Sequence, residues 1–511
     1  MVDLMPNNTQ PHYLMWFRRD LRTLDNTALL QCIEQAQQKN AQVSALFIAT
    51  PQTWLQHDMS LIQLKFMLNT LLPLAEKLAQ HQIYFDIKIV PSYNNVADIL
   101  KQYCLEHHIQ QIYFNYEYEE REIHRDDDVY QQLKSLNISC FAYHDQCILA
   151  PRTVLKDDGD DYCVFTPFYK KWLDILQKGY FIIKKLPKNR HNRCDEINAQ
   201  IERIKNAVEK TINDYAQQSP QSHIDSPFLH QAGEQYALQH LSNFIDHHIH
   251  HYIIQRDIPS IVQGTSQLSP YLAIGAISPR VCYQMVMTAI QQQSYGHEAM
   301  FKWLNELCWR DFYRHILVAR PDMIRHHAFQ KAVDKQIDWR YNEQDFQRWC
   351  DGQTGVPIVD AGMRCLKQTG FLHNRVRMIV AMFLTKNLLI DWRWGERYFM
   401  QQLIDGDFAS NNGGWQWSAS VGTDAVPYFR IMNPFSQAKT HDVDAIFIKT
   451  WVPELVDIPA HILHDEKKLT VYLTANPHIN YPLPIVDLKT SRAKAIDVFK
   501  QANEQAKMII S

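Results

Sequence analysis

Residues 13–38 read YLMWFRRDLRTLDNTALLQCIEQAQQ: five apolar or aromatic residues, a charged turn, then a stretch from 26 to 38 with helical periodicity. A short apolar run closed by polar residues reads as a buried strand, and apolar positions recurring with period 3.6 read as a helix packed on it. The unit recurs. VSALFIA (43–49), FDIKIV (85–90), QIYFN (111–115) and CFAYH (140–144) are further β-rich runs, with helix-patterned stretches at 62–80 and 95–108 between them. Alternation of this kind predicts an α/β domain over residues 1–150, a doubly wound, Rossmann-like parallel sheet of five strands. Ligands of such sheets sit at the carboxyl ends of the strands.

Beyond residue 150 the pattern changes. KDDGDDYC (156–163) and QQSPQSHIDSPF (217–228) read as loops around a charged helix near 195–215, so 151–232 is expected to be a connector crossing the surface. From 233 to 511 helical periodicity dominates, which predicts a large all-α domain. Ser269-Pro270 and Ser278-Pro279 each offer an N-cap with proline at the first helical position, and SRAKAIDVFKQANEQAKMII (491–510) reads as a closing helix.

The chain has 511 residues, 46% hydrophobic and 21% charged, with a formal net charge of −3, so nucleic-acid binding requires a local basic patch rather than an overall basic character. The ten cysteines show no CxxC pair or ligand-like spacing, which predicts unpaired thiols in a reduced cytoplasmic chain. MVDLMPNNTQPH (1–12) lacks a basic start and an apolar stretch, so no secretory signal is expected; no run approaches a membrane span. No extended tail is expected after the closing helix. Twelve tryptophans, most of them after residue 300, stand out.

Several constellations mix charge with aromatic rings. In FKWLNELCWRDFYRH (301–315), Trp303, Glu306, Trp309 and Arg310 fall within an arc of about 120° on a helix. Taken alone this is also an ordinary amphipathic helix, although a charge on a tryptophan face is expensive unless it serves something. Asn374, Arg377 and Met378 share a second face while Arg375 points elsewhere. GTSQLSPYLAIG (264–275) sets small polar residues before a helix start, where free N–H groups would suit a phosphate; a plain capped turn is the alternative. DHHIHHYIIQRD (246–257) puts His247, His250 and His251 on one helical face, yet without a second ligand set no metal site is expected. DGDFASNNGGWQWSAS (405–420) has poor helix and strand propensity and reads as a Gly-rich turn with packed tryptophans, or as a site needing amides, carboxylates and flat rings together.

WFRRDLRTLDNTALL (16–30), GTSQLSPYLAIGAISPR (264–280), WLNELCWRDFYRH (303–315), TGVPIVDAGMR (354–364), HNRVRM (373–378) and LIDGDFASNNGGWQWSASVGTDAVPYFRIMNP (403–434) together resemble the DNA photolyase/cryptochrome family. The likeness runs in order over roughly 13–500 and is nearest to the bacterial class I enzymes acting on cyclobutane pyrimidine dimers. It implies an antenna domain, a connector and a helical domain holding FAD. It also implies light-driven repair of UV-damaged DNA: photoexcited FADH⁻ gives one electron to a flipped-out dimer, the ring splits and the electron returns. A cryptochrome-type blue-light photoreceptor is the alternative reading; the two pocket tryptophans favour repair.

Carried over residue by residue, the resemblance implies an FAD site of Tyr252, Thr265, Ser266, Gln267, Leu268, Ser269, Trp303, Arg310, Arg377, Asp405, Gly406, Asp407 and Asn411. Gln267 stands where the family usually has arginine. The implied dimer pocket is Glu306, Trp309, Asn374, Met378 and Trp417, and the implied electron relay is Trp415, Trp392 and Trp339, re-reducing flavin from the surface. Arg256, Arg375, Arg430 and Gln437 match DNA-backbone contacts. His57 and Glu122 match contacts to a second chromophore, 5,10-methenyltetrahydrofolate, although Arg121, Ile324 and Arg325 depart from the family pattern there. The chain is expected to act as a cytoplasmic monomer without an obligate protein partner or a membrane.

Overall fold

The computed structural model describes residues 10–510 apart from 180–182, 184, 188–196, 222, 223 and 225. The expectation that no secretory signal is present rests on residues 1–12, of which 1–9 lie outside the described residues. Five parallel strands, β1 (His12–Phe17), β2 (Gln42–Ala49), β3 (Tyr84–Ile89), β4 (Ile109–Asn115) and β5 (Ser139–Tyr143), form one sheet in the order β3-β2-β1-β4-β5. The apolar runs of the sequence carry no alternation because both faces are covered. Along central β1, Tyr13, Met15 and Phe17 enter one core while Leu14 and Trp16 enter another. Helix Thr27–Lys39 follows β1, capped by Asn26, whose side chain accepts from Leu29 N.

The core on the first face does not stop at the α/β domain. Met15 and Phe17 share it with Tyr271, Leu304 and Phe312 of the helical part, whereas Trp349, Val380, Trp392, Leu455 and Phe499 belong to a separate, wholly helical core. Ion pairs reinforce the junction: Asp145, just past β5, pairs with Arg22 and, at 2.7 Å, with Arg280 of helix Pro279–Gln292.

The segment expected to cross the surface is more deeply engaged. Helix Phe165–Lys178 buries Phe165, Phe168, Trp172 and Leu176, and helix Ile197–Ala216 packs on β3 and on helices Leu61–Asn69 and Leu71–Gln80. Trp172 Nε1 and the backbone N–H groups of Ile148 and Leu149 all donate to the fully buried Asp311 carboxylate.

A second difference concerns 405–420. Residues Phe408–Ser418 form a helix, capped by Asp407 accepting from Ser410 N. Its glycines are helical despite their propensity because of close packing at one of them: a Cβ on Gly413 would meet Tyr313 Cδ1 at 2.2 Å, so only glycine lets this helix lie against helix His297–Ala319. The histidine cluster also differs from its reading. Helix Glu234–His247 ends before the 3₁₀ turn Ile249–His251, so a common helical face never forms. Among the described residues no helix is long and apolar enough to cross a membrane.

Candidate active site

Three helices converge on a cavity of about 550 Å³, a size suited to a bound cofactor or substrate. Helix His297–Ala319 lends Trp303, Glu306, Trp309 and Arg310, the four residues that share an arc. Helix Asn374–Met382 lends Asn374, Arg377 and Met378, and also Arg375. Helix Phe408–Ser418 lends Asn411, Gly414, Trp415 and Trp417, and Asp405 and Asp407 lie just before it. Tyr252, Arg256, Thr265, Ser266, Leu268 and Ser269 close the wall.

Two residues expected among these stand apart. Gln267 has φ +52 and its side chain turns back to donate to Val262 O at 3.1 Å, bracing its own loop. Gly406 gives its carbonyl to Gln63 Nε2 at 2.6 Å, which ties the site to helix Leu61–Asn69. Ser269 opens a helix of only five residues with Leu268 at the cap position, so the dipole argument for a phosphate there is weaker than its sequence suggests.

Most charges in the wall are paired. Arg377 holds Asp405 through Nη2 at 2.8 Å and 3.0 Å. Burial would raise the Asp407 carboxyl, but Arg314, Arg310 and the Ser410 N–H outweigh it and hold the group well below the usual carboxylate range. Arg310 donates only to backbone carbonyls, Gln146 O and Leu272 O, and burial together with the neighbouring Arg314 lowers its guanidinium to about 10. A half-buried cation without a carboxylate of its own among the described residues suits an anionic ligand. At the mouth Arg256 Nη1 meets Glu306 Oε1 at 2.5 Å, and Arg375 Nη2 meets Asp257 Oδ2 at 2.8 Å. Arg430 is exposed in the loop before helix Pro434–His441, and Gln437 on that helix has a buried Oε1 without a hydrogen-bond partner.

The aromatic wall has a backing that the sequence reading missed. Phe165 stacks on Trp309 with centroids 3.6 Å apart and planes within 4°. Phe165 is held in turn by its N–H donating to Asp424 Oδ2 at 3.1 Å, and Thr423 Oγ1 donates to Cys163 O at 2.6 Å. The legible signal was VFTPFYKKW, three aromatics at helical spacing that now prove to face inward.

Trp415 lines the cavity, and Trp392 and Trp339 lie behind it in the second core. Trp339 is only 7% exposed, so the expected surface terminus of the relay is a buried ring. A Cβ at Gly395 would meet Trp415 Cη2 at 2.1 Å, which shows how tightly helix Trp392–Gln402 backs this indole. Far from the cavity, His57 Nδ1 and Glu122 Oε1 come within 3.8 Å of one another. Tyr93 OH donates to Glu122 at 3.0 Å, and Arg121, one of the departures, reaches His57 Nε2 at 2.9 Å. Burial first, then Arg121 and Arg19, lower His57 to about 4; burial, with Glu119 and Glu117 near, pushes Glu122 up to about 7. Arg325, another departure, pairs with Glu120.

Comparison with known proteins agrees with this geometry. Residues 13–189 match the family model described as DNA photolyase, and residues 303–501 match the FAD binding domain of DNA photolyase. A deoxyribodipyrimidine photo-lyase of Escherichia coli is 40% identical over 492 residues, 96% of this chain and 99% of the relative. Among solved structures, a bacterial class III photolyase from Agrobacterium tumefaciens has a TM-score of 0.79 at 28% identity, covering 98% of this chain and 100% of that one. A Synechocystis cryptochrome has a TM-score of 0.79 at 25% identity, covering 96% and 99%. With both halves matched in order and the helical cavity assembled from the residues that carry the likeness, the chain belongs to the DNA photolyase family.

Proposed function

We propose that this protein is a deoxyribodipyrimidine photolyase, which uses light to split cyclobutane pyrimidine dimers in UV-damaged DNA. The observation that carries the reading is the convergence of Glu306, Trp309, Asn374, Met378 and Trp417 on the same cavity as the Arg377–Asp405 pair. In this reading residues 1–150 carry the antenna, 151–232 connect, and 233–511 hold the reacting centre. The chain works as a cytoplasmic monomer.

FAD fits the cavity. Arg310 is a half-buried cation whose partners among the described residues are carbonyls, Thr265, Ser266 and Ser269 supply polar groups, and a Cβ at Gly414 would find only open space. Tyr252, Leu268, Trp303, Arg377, Asp405, Asp407 and Asn411 complete the set of residues that would hold it. Bound in its reduced form, FAD supplies the light-released electron that opens the cyclobutane ring and takes it back afterwards. The chain's own work is to bring the dimer close and keep water out. Extruding a nucleotide costs a few kcal/mol and least for a damaged one, the route by which photolyases as a class reach their substrate. Trp309 and Trp417 offset that cost by stacking, worth roughly 1–3 kcal/mol per base. Trp309 does so without reorganising because Phe165 already fixes its plane. Glu306 and Asn374 hydrogen-bond the pyrimidine edges, and Arg256, Arg375, Arg430 and Gln437 hold the flanking backbone.

The second chromophore in this reading is methenyltetrahydrofolate near His57 and Glu122. The proximity of the two side chains supports it, while Arg121 on His57 means that a ligand must displace one cation. The decisive experiment is an absorption spectrum of the purified chain, followed by incubation with a dimer-containing oligonucleotide in light and dark. Light-dependent restoration supports repair. Bound flavin without restoration overturns it in favour of a photoreceptor.

A further inference from the structure

Behind the cavity, one carboxylate serves two of the tryptophans assigned to the relay. Trp392 Nε1 donates to Asp334 Oδ1 at 3.2 Å, and Trp339 Nε1 donates to the same oxygen at 3.3 Å. The other oxygen, Oδ2, receives Arg393 Nη2 at 2.6 Å. Asp334 is 9% exposed and Trp392 fully buried, so these contacts are made with little water between or around them. The guanidinium of Arg393 also lies 4.5 Å from the centre of the Trp392 ring.

We infer that Asp334 is a positioning residue for electron transfer, bridging Trp392 and Trp339 and stabilising the positive charge that each carries in turn. The inference rests on the relay reading of Trp415, Trp392 and Trp339. When oxidised Trp415 takes one electron from Trp392, Trp415 returns to its neutral form and Trp392 becomes an indole radical cation. A second one-electron transfer, from Trp339 to Trp392, moves the charge outward. No bond forms or breaks and both indole N–H protons stay in place; a small-molecule thiol finally supplies the electron that restores Trp339.

Charge position gives the second step its direction. A radical cation on Trp392 is favoured by the Asp334 carboxylate but opposed by Arg393 stacked on its face. On Trp339 the same carboxylate acts through its own hydrogen bond, and among the described residues no cation stacks on that ring. In a low-dielectric interior such differences count for far more than in water. Arg393 has a further effect: by pairing with Oδ2 it fixes the orientation of the carboxylate, so that Oδ1 stays turned to both indole N–H groups. Asp391, which accepts from Arg393 Nη1 at 3.1 Å, anchors that guanidinium at its other end.

The test uses the flavin-loaded protein with oxidised FAD, followed by time-resolved absorption of the tryptophan radical cation after a laser flash. Asp334→Asn preserves shape and removes the charge. The long-lived radical signal should fall roughly tenfold, the size expected when a hydrogen bond to a charged group is lost, and Asp334→Glu should restore part of it. Arg393→Gln should shift the balance the other way and prolong the radical on Trp392. Ultraviolet resonance Raman of the indole N–H band in the flavin-free chain gives an independent readout, because both hydrogen bonds should weaken in Asp334→Asn. Repair by chemically pre-reduced Asp334→Asn protein should be unchanged. A normal radical yield in Asp334→Asn, with photoreduction lost in Trp392→Phe, overturns this inference and leaves the relay intact. Normal photoreduction in Trp392→Phe overturns both.

Discussion

Glu306 meets Arg256 at 2.5 Å at the mouth of the cavity, and in the proposed function its carboxylate exchanges that cation for a pyrimidine N–H when a dimer enters. That proposal gives it a role with the flipped base rather than with affinity for intact duplex. Glu306→Ala is expected to lower repair yield about tenfold, the worth of a charged hydrogen bond, and to change dark DNA affinity far less. Equal losses in the two assays would remove Glu306 from the pocket chemistry. Glu122 illustrates the opposite situation, a carboxyl buried among other acids. Its ordinary value of 4.5 rises to about 7 in the fold, so the unfolded chain releases this proton at lower pH than the folded one. The associated stability is whole below pH 4.5 and is lost as pH rises to about 7, a penalty on the order of 3 kcal/mol above that. Glu122→Gln should therefore raise the Tm at pH 8 and leave it nearly unchanged at pH 5. His57→Ala should deplete near-UV antenna absorbance while sparing FAD, and an unchanged spectrum would exclude a folate held there.

Helix faces explain why much of the cavity was legible. Trp303, Glu306 and Arg310 belong together by the 3.6-residue period alone, and so do Asn374, Arg377 and Met378; the structure puts both sets on the cavity wall. Propensity misled at 408–418, where two glycines suggested a turn; the contact of Gly413 with the Tyr313 ring, invisible locally, requires glycine in a helix. The same holds for Phe165, whose partner Trp309 is remote in sequence. Phe165→Ala should destabilise the protein by about 3–5 kcal/mol, as removal of a buried phenyl ring does. It should also lower repair yield by freeing the Trp309 plane, whereas Phe165→Leu should recover stability better than repair. Denaturant unfolding and a repair assay on each variant separate the two effects.

For the whole molecule the central question is how a chain of net charge −3 holds DNA. Arg256 and Arg375 are each tied to a carboxylate beside the cavity, while Arg430 is exposed. Binding should therefore depend moderately on salt, and Arg430→Gln should reduce the slope of log K against log salt by about 0.9, one phosphate contact; an unchanged slope would take Arg430 out of the interface. The sequence by itself determined the parallel sheet, because buried strands must be continuous apolar runs and crossover helices must carry a 3.6 period. It also determined which residues share a helix face, and the family to which the chain belongs. Only the tertiary structure decided that the sheet and the helical part share a core through Met15, Phe17 and Leu304, that Phe165 backs Trp309, and that Asp334 joins Trp392 to Trp339. Periodicity is a local property of the chain and can be read in a window of a few turns. These contacts join residues remote in sequence, and their identity follows from how helices approach one another, which no local pattern encodes.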